Sequence, residues 1–167
     1  MTNEASGGGD GGLAGAAGAA GDVSDASSVS GVNVVNRVSG ASGGASGASA
    51  VLEQEVGPDD TAAAFGAHFP PAASTPFVLG LAEVACHNAV AGELGPGEVT
   101  VGVSAAIEHL LPSPVGARLV ARAQVVERDG RRLTFDVEIY DGDRLCARIR
   151  HGRAVASTAR LAGKLAR

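Results

Sequence analysis

Three side chains in this sequence have types and surroundings suited to acid–base chemistry: Glu83, His109 and Thr75. Glu83 is the only Asp, Glu, Lys or Arg between Thr75 and Glu93, in the otherwise apolar run Phe77-Val-Leu-Gly-Leu-Ala-Glu-Val-Ala-Cys. An ionised carboxylate in such company is costly unless it is paired or used. It is either a buried acid satisfied by a neighbour or a dimer contact, or a working acid. His109 closes a run whose alternate residues are Val99, Val101, Val103, Ala105 and Ile107. Period-two alternation puts it on their face, pointing inward at the rim, as a satisfied core histidine or as an acid–base group. Thr75 precedes Pro76, and by itself the role of helix cap accounts for it.

The elements that must hold these groups follow from local pattern. Ser74-Thr75-Pro76 is a strong helix start, with Thr75 able to cap free N–H groups and proline well suited to the first turn, so a helix is expected from Pro76 to about Ala91. It is apolar nearly all round and must be wrapped by other structure. A short strand is expected over Val51–Val56, a short helix over Ala62–Phe65, and a loop over 68–73 with Pro70 and Pro71. Four longer strands follow, near 98–109, 117–127, 132–140 and 144–156, with Asp129-Gly130 and Asp141-Gly142 as hairpin turns. One strand, one buried helix and four strands make an α+β layout. The shape expected is the hot-dog fold, an antiparallel sheet of about five strands wrapped around one long central helix.

Composition divides the chain into three parts. Residues 1–48 are a low-complexity Gly/Ala/Ser leader, expected to be disordered, with Val32, Val34, Val35 and Val38 as the one stretch patterned for a transient strand. Residues 49–157 are the folded domain and 158–167 a C-terminal tail. The net charge of −5 argues against nucleic acid and against a polybasic membrane anchor. All Lys and Arg except Arg37 nevertheless lie from Arg118 onward, so an anionic ligand has a basic end to use. Cys86 and Cys146 have no ligand or disulfide spacing, no run is long enough to span a bilayer, and the start lacks a signal-peptide pattern. A reduced, cytoplasmic setting is expected, and no metal site.

A collinear set of residues adds to this reading. Phe69-Pro70, Thr75-Pro76-Phe77, Gly80-Leu81-Ala82-Glu83, Ala85-Cys86, Gly102, His109, Pro114, Gly116, Gly130-Arg131-Arg132-Leu133 and His151-Gly152-Arg153-Ala154-Val155 need no gap between Phe69 and Val155. In this the chain resembles the fluoroacetyl-CoA thioesterase family of hot-dog proteins. The resemblance covers most of residues 50–156 and implies a catalytic set of Thr75, Glu83 and His109. In that set Glu83 is base or nucleophile toward the thioester carbonyl, Thr75 positions it and the substrate, and His109 handles the proton and the developing charge. The N-terminal end of a buried helix suits a forming oxyanion. Gly102, whose family counterpart lies by the acyl group, allows close backbone approach.

The resemblance also implies a homodimer, no cofactor beyond the coenzyme A of the substrate, and substrate contacts from Phe69, Gly102 and Arg153. Arg148, Arg150, Arg131 and Arg132 are further candidates for the coenzyme A phosphates. Of the family's two aromatic lid positions, Phe69 matches one while Gly66, beside Phe65, stands at the other, so a short or compact acyl group is expected. Two other readings stay open on a hot-dog domain: a non-catalytic acyl-CoA binder or sensor, and a hydratase or dehydratase in which Thr75 would be idle.

Overall fold

Apolar–polar alternation from Ser49 onward produces five strands: β2 (Ser49–Glu55), β3 (Glu98–His109), β4 (Arg118–Asp129), β5 (Arg132–Asp141) and β6 (Arg144–Ser157). The computed structural model describes residues 37–38 and 47–166. A two-residue strand β1 (Arg37–Val38) pairs with Val51 and Ala50 of β2, and the rest of the expected leader up to residue 46 lies outside the described residues. The strands form one antiparallel sheet in the order β1-β2-β4-β5-β6-β3. The hairpin loops are Gly130-Arg131 and Gly142-Asp143, one residue later than expected, because Asp129 pairs with Arg132 and Asp141 with Arg144. Gly130 (φ 54°) and Gly142 (φ 58°) supply the positive φ that such two-residue turns require at their first position.

Helix α1 (Thr75–Val90) lies against the sheet. Its Val78, Leu81, Ala82, Ala85, Cys86, Ala89 and Val90 are buried with Leu52 and Val56 of β2 and its loop, Leu119 and Ala121 of β4, and Phe135, Val137 and Ile139 of β5. The helix is not wrapped all round within this chain: Pro76, Gly80 and Val84 lie exposed along one stripe, and Val84 is 45% exposed. The segment expected as a tail forms helix α2 (Thr158–Leu165), tied at its start by hydrogen bonds from the Thr158 N–H and hydroxyl to the Gly97 carbonyl at 2.9 and 3.1 Å. Among the described residues no helix is long and apolar enough to cross a membrane.

Strand β3 does not keep one face throughout. A β-bulge shifts its register against β6 between Gly102 and Ser104. Thr100 is buried toward α1, where its hydroxyl meets His87, and beyond the bulge Ile107 and His109 turn inward. Residues 100 and 107 would lie on opposite faces of a regular strand, and the extra residue brings them to the same one. Uniform alternation along β3 therefore holds for Ile107 and His109 but not for Val99 and Val101.

The ring of Phe135 is fully buried at the centre of this core. Phe135→Ala is expected to lower unfolding free energy by about 3–5 kcal/mol, measured by urea denaturation at unchanged slope.

Candidate active site

Glu83 stands in the third turn of α1, on the side that looks at β3 and β6, and the sheet closes a polar cluster around it. Its Oε1 lies 3.0 Å from His151 Nε2, and its Oε2 accepts a hydrogen bond from Arg153 Nη1. Arg153 is only 4% exposed, yet every branch of its guanidinium is used: Nε donates to the Thr100 hydroxyl (3.0 Å), Nη2 to the Thr100 carbonyl (2.9 Å), and Nη1 reaches His151 Nε2 (3.0 Å) as well as Glu83. A buried arginine is tolerable only with such pairing. The Glu83 carboxylate itself stays 37% exposed, so it is held from behind and open in front. In front of it lies Gly102, where a Cβ would overlap the carboxylate and stand 3.2 Å from His151 Cε1. Glycine is thus required here by space, not by backbone angle.

Thr75 and His109 meet at the other end of α1. The Thr75 hydroxyl and His109 Nδ1 share a hydrogen bond of 3.1 Å. Thr75 is free to do this because it is not the cap: the Ser74 hydroxyl accepts the Phe77 N–H at 3.2 Å, and Thr75 is the first residue of the helix itself. Eight residues of helix separate Thr75 from Glu83, about 12 Å along the axis. Within one chain, then, the structure joins Thr75 to His109 and Glu83 to Arg153 and His151, as two clusters.

The remaining candidates fall in different places. Phe69, 45% exposed, lies in a loop beside the Thr75–His109 end, where Ala72 bridges to Pro114 and Ala73 N–H bonds the Ser113 carbonyl. Arg153 is buried against Glu83 and out of reach of a phosphate. Arg148 and Arg150 point to the outer face of the sheet and pair with Glu138 (3.7 Å) and Asp136 (2.9 Å), while Arg131 pairs with Glu98 (2.8 Å). A groove of about 810 Å³ on that outer face is bordered by Val51, Arg122, Asp136, Glu138 and Arg150, and Glu83 has no part in it. Among the described residues no three His, Cys, Asp or Glu side chains cluster as metal ligands.

Thr100 and His87 were not marked by their spacing, and His151 only as part of the run His151-Gly152-Arg153-Ala154-Val155. The available signal was the pair His151-x-Arg153, which period two directs to one face, opposite the only charged residue of α1. Two neighbours respond to this charge. The Cys86 thiol is pushed up to about 12, first by burial, then with Arg153 lowering it and Glu83 raising it, so it carries no thiolate at neutral pH. His87, whose Nδ1 lies 2.9 Å from the Thr100 hydroxyl, is held below its ordinary 6.5, first by burial and then by the Arg153 charge.

A long helix packed on an antiparallel sheet, with an acid on the helix and its partners on the last strand, defines a hot-dog-fold protein. The chain belongs to the fluoroacetyl-CoA-specific thioesterase family, whose profile matches residues 56–159. The fluoroacetyl-CoA thioesterase of Streptantibioticus cattleyicolor is 36% identical over 89 residues, which are 53% of this chain and 64% of that protein. The alignment thus spans a little under two thirds of that relative's length. A solved structure of a fluoroacetyl-CoA thioesterase superposes with a TM-score of 0.69 at 29% identity, covering 74% of this chain and 96% of the other. The hot-dog-like protein of Thermanaerovibrio acidaminovorans shares the fold, with a TM-score of 0.66 at 22% identity over 72% of this chain and 89% of its own.

The lowered His87 makes a prediction about stability. The folded state binds fewer protons at His87 than the unfolded state does below pH 6.5, so its contribution is complete above that pH and is lost as pH falls through the folded value. Denaturant titrations between pH 7 and 5 should show a steeper loss of stability for the wild type than for His87→Gln.

Proposed function

We propose that this protein hydrolyses a short or compact acyl-CoA thioester to the free acid and coenzyme A. The observation that carries the reading is the Glu83 carboxylate, pinned by Arg153, still open to solvent on one side and packed against a glycine whose missing side chain makes space for the carboxylate itself. Membership of a thioesterase family and the 36% identical fluoroacetyl-CoA thioesterase support it. Glu83 serves as the oxygen base or nucleophile toward the carbonyl, and Thr75 and His109 position the thioester and return a proton to the departing sulfur. The reaction needs no cofactor beyond the coenzyme A carried by the substrate.

The separation of the two clusters supports a homodimer as the working form. The midpoint between Thr75 and Glu83 falls near Leu79-Gly80, and that between Gly102 and His109 near Ala105-Ala106. A twofold axis through those midpoints sets the Thr75–His109 pair of one subunit beside Glu83 of the other. The same region is bare in a single chain: Gly80 and Val84 on α1 and residues 102–106 on β3 are exposed, with Val103 at 52%, and on its outer side β3 has no strand partner among the described residues. An unpaired edge strand with an apolar flank invites pairing.

Thiol release from acetyl-CoA, fluoroacetyl-CoA and longer acyl-CoAs tests the function. Glu83→Gln and His109→Ala are each expected to lower kcat by about 10²-fold or more; release unchanged in both variants would remove the proposed set, saturable binding without release would favour a sensor, and hydration of an enoyl-CoA without release would favour the hydratase. Light scattering at micromolar concentration is expected to give twice the monomer mass, and a Val103→Asp, Val84→Asp double variant to give a monomer with little turnover. A wild-type monomer at full activity would contradict the composite site.

A further inference from the structure

His151 is nearly inaccessible, at 2% exposure, and its two ring nitrogens have unequal surroundings. Nδ1 lies 2.8 Å from the Ser104 carbonyl oxygen, which can only accept, so Nδ1 carries a hydrogen. In the neutral ring Nε2 is then a bare lone pair. That lone pair faces two atoms at 3.0 Å: Arg153 Nη1, a donor, and Glu83 Oε1, which is another acceptor while Glu83 is ionised. While the ring is neutral, two electron-rich atoms stand at hydrogen-bond distance with no proton to join them, and the Arg153 nitrogen that touches both residues makes the approach tolerable.

We propose that His151 Nε2 is the acceptor for the proton that Glu83 takes up during turnover, so that Glu83 and His151 together act as a general base on water. The inference rests on Glu83 being the working carboxylate. The step balances: the oxygen of a water molecule bonds to the thioester carbon, one of its protons passes to Glu83 Oε1, and the new O–H donates to His151 Nε2. When the C–S bond breaks, its electron pair leaves on sulfur, the proton held on Glu83 passes by way of the Thr75–His109 pair to the coenzyme A thiolate, Glu83 returns to the carboxylate, and the other water proton leaves with the acid. The arrangement favours base over nucleophile, because an O–H formed on Glu83 Oε1 can donate to the Nε2 that lies 3.0 Å from it, whereas an acyl anhydride at that oxygen carries no hydrogen to donate. It also assigns His151 as a positioning residue that acts through Glu83, since its burial keeps it from the substrate.

The other titratable or charged groups of this cluster are few. Helix α1 brings Glu83, Cys86 and His87, β6 brings Arg153, β3 brings Thr100 and the Ser104 carbonyl, and the β5 residue in register with His151 is the apolar Phe135. Cys86 stays a neutral thiol, and His87 is one hydrogen bond further out, behind Thr100. Only Glu83 and His151 are placed to exchange a proton directly.

The test uses the full-length protein with acetyl-CoA. Nitrogen-15 spectra of the wild type are expected to show His151 with a protonated Nδ1 and a bare Nε2 at pH 7.5; a proton on Nε2 at that pH would overturn the proposal whatever the variants do. His151→Asn keeps a donor for the Ser104 carbonyl and removes the ring acceptor. It is expected to lower kcat about 10²-fold with KM within about threefold. The acid limb of its pH–rate profile should move to lower pH, because the proton that silences the base has lost its acceptor. His151→Gln, which sets an amide oxygen at the Nε2 position, is expected to restore part of the rate. Loss of activity in Glu83→Gln together with a wild-type rate and acid limb in His151→Asn would overturn this inference alone. Full activity in Glu83→Gln would overturn the reading beneath it.

Discussion

The ion pair between Glu83 and Arg153 is the constraint around which the rest of the structure is arranged. A guanidinium with 4% exposure carries a desolvation cost of several kcal/mol that only close partners offset. Here those partners come from three elements: a carboxylate from α1, a hydroxyl and a carbonyl from β3, and an imidazole from β6. The pair therefore fixes the distance between helix and sheet at this point. It also requires Gly102 opposite, since no side chain fits in front of the carboxylate, and it holds one oxygen of Glu83 back while leaving the group open to solvent.

The bulge in β3 serves the same constraint. It lets Thr100 and Gly102 face the ion pair while His109, farther along the same strand, still turns in to meet Thr75. Without the extra residue one of these sets would point to the outer face. The fold thus presents two polar clusters along one bare helix stripe and one bare sheet edge. In the proposed dimer each cluster completes the other, and the apolar residues Val84 and Val103 lose their exposure to water.

Much of this was legible in the residues. The α+β order, the helix start and the strand limits follow from strong local signals: Ser74-Thr75-Pro76, the Asp-Gly pairs at 129–130 and 141–142, and alternation over long runs. Glu83 stood out because a lone acid in an apolar helix needs a partner. What could not be read was which partner it takes, since that depends on β3 pairing with the distant β6 rather than with β4, the next strand in the chain, a choice made by the whole sheet. The bulge was equally hidden: Val99, Val101 and Val103 look like one face, and only the pairing of Gly102 and Ser104 with Arg153 and Gly152 shows the slip. Thr75 was legible as part of a helix start, but which of two adjacent hydroxyls caps the helix and which is left for His109 was settled by backbone geometry at Ser74.

In the proposed mechanism the thioester carbonyl sits beside Gly102 against the solvent-open side of Glu83. The most direct measurement is a crystal structure with a non-hydrolysable acetyl-CoA analogue. The carbonyl carbon is expected about 3–3.5 Å from the attacking oxygen, a water bound to Glu83 or Glu83 itself, with the Thr75–His109 pair of the neighbouring subunit on the sulfur side. An analogue whose acyl end lies in the groove on the outer sheet face, or one that leaves Glu83 untouched, would contradict it.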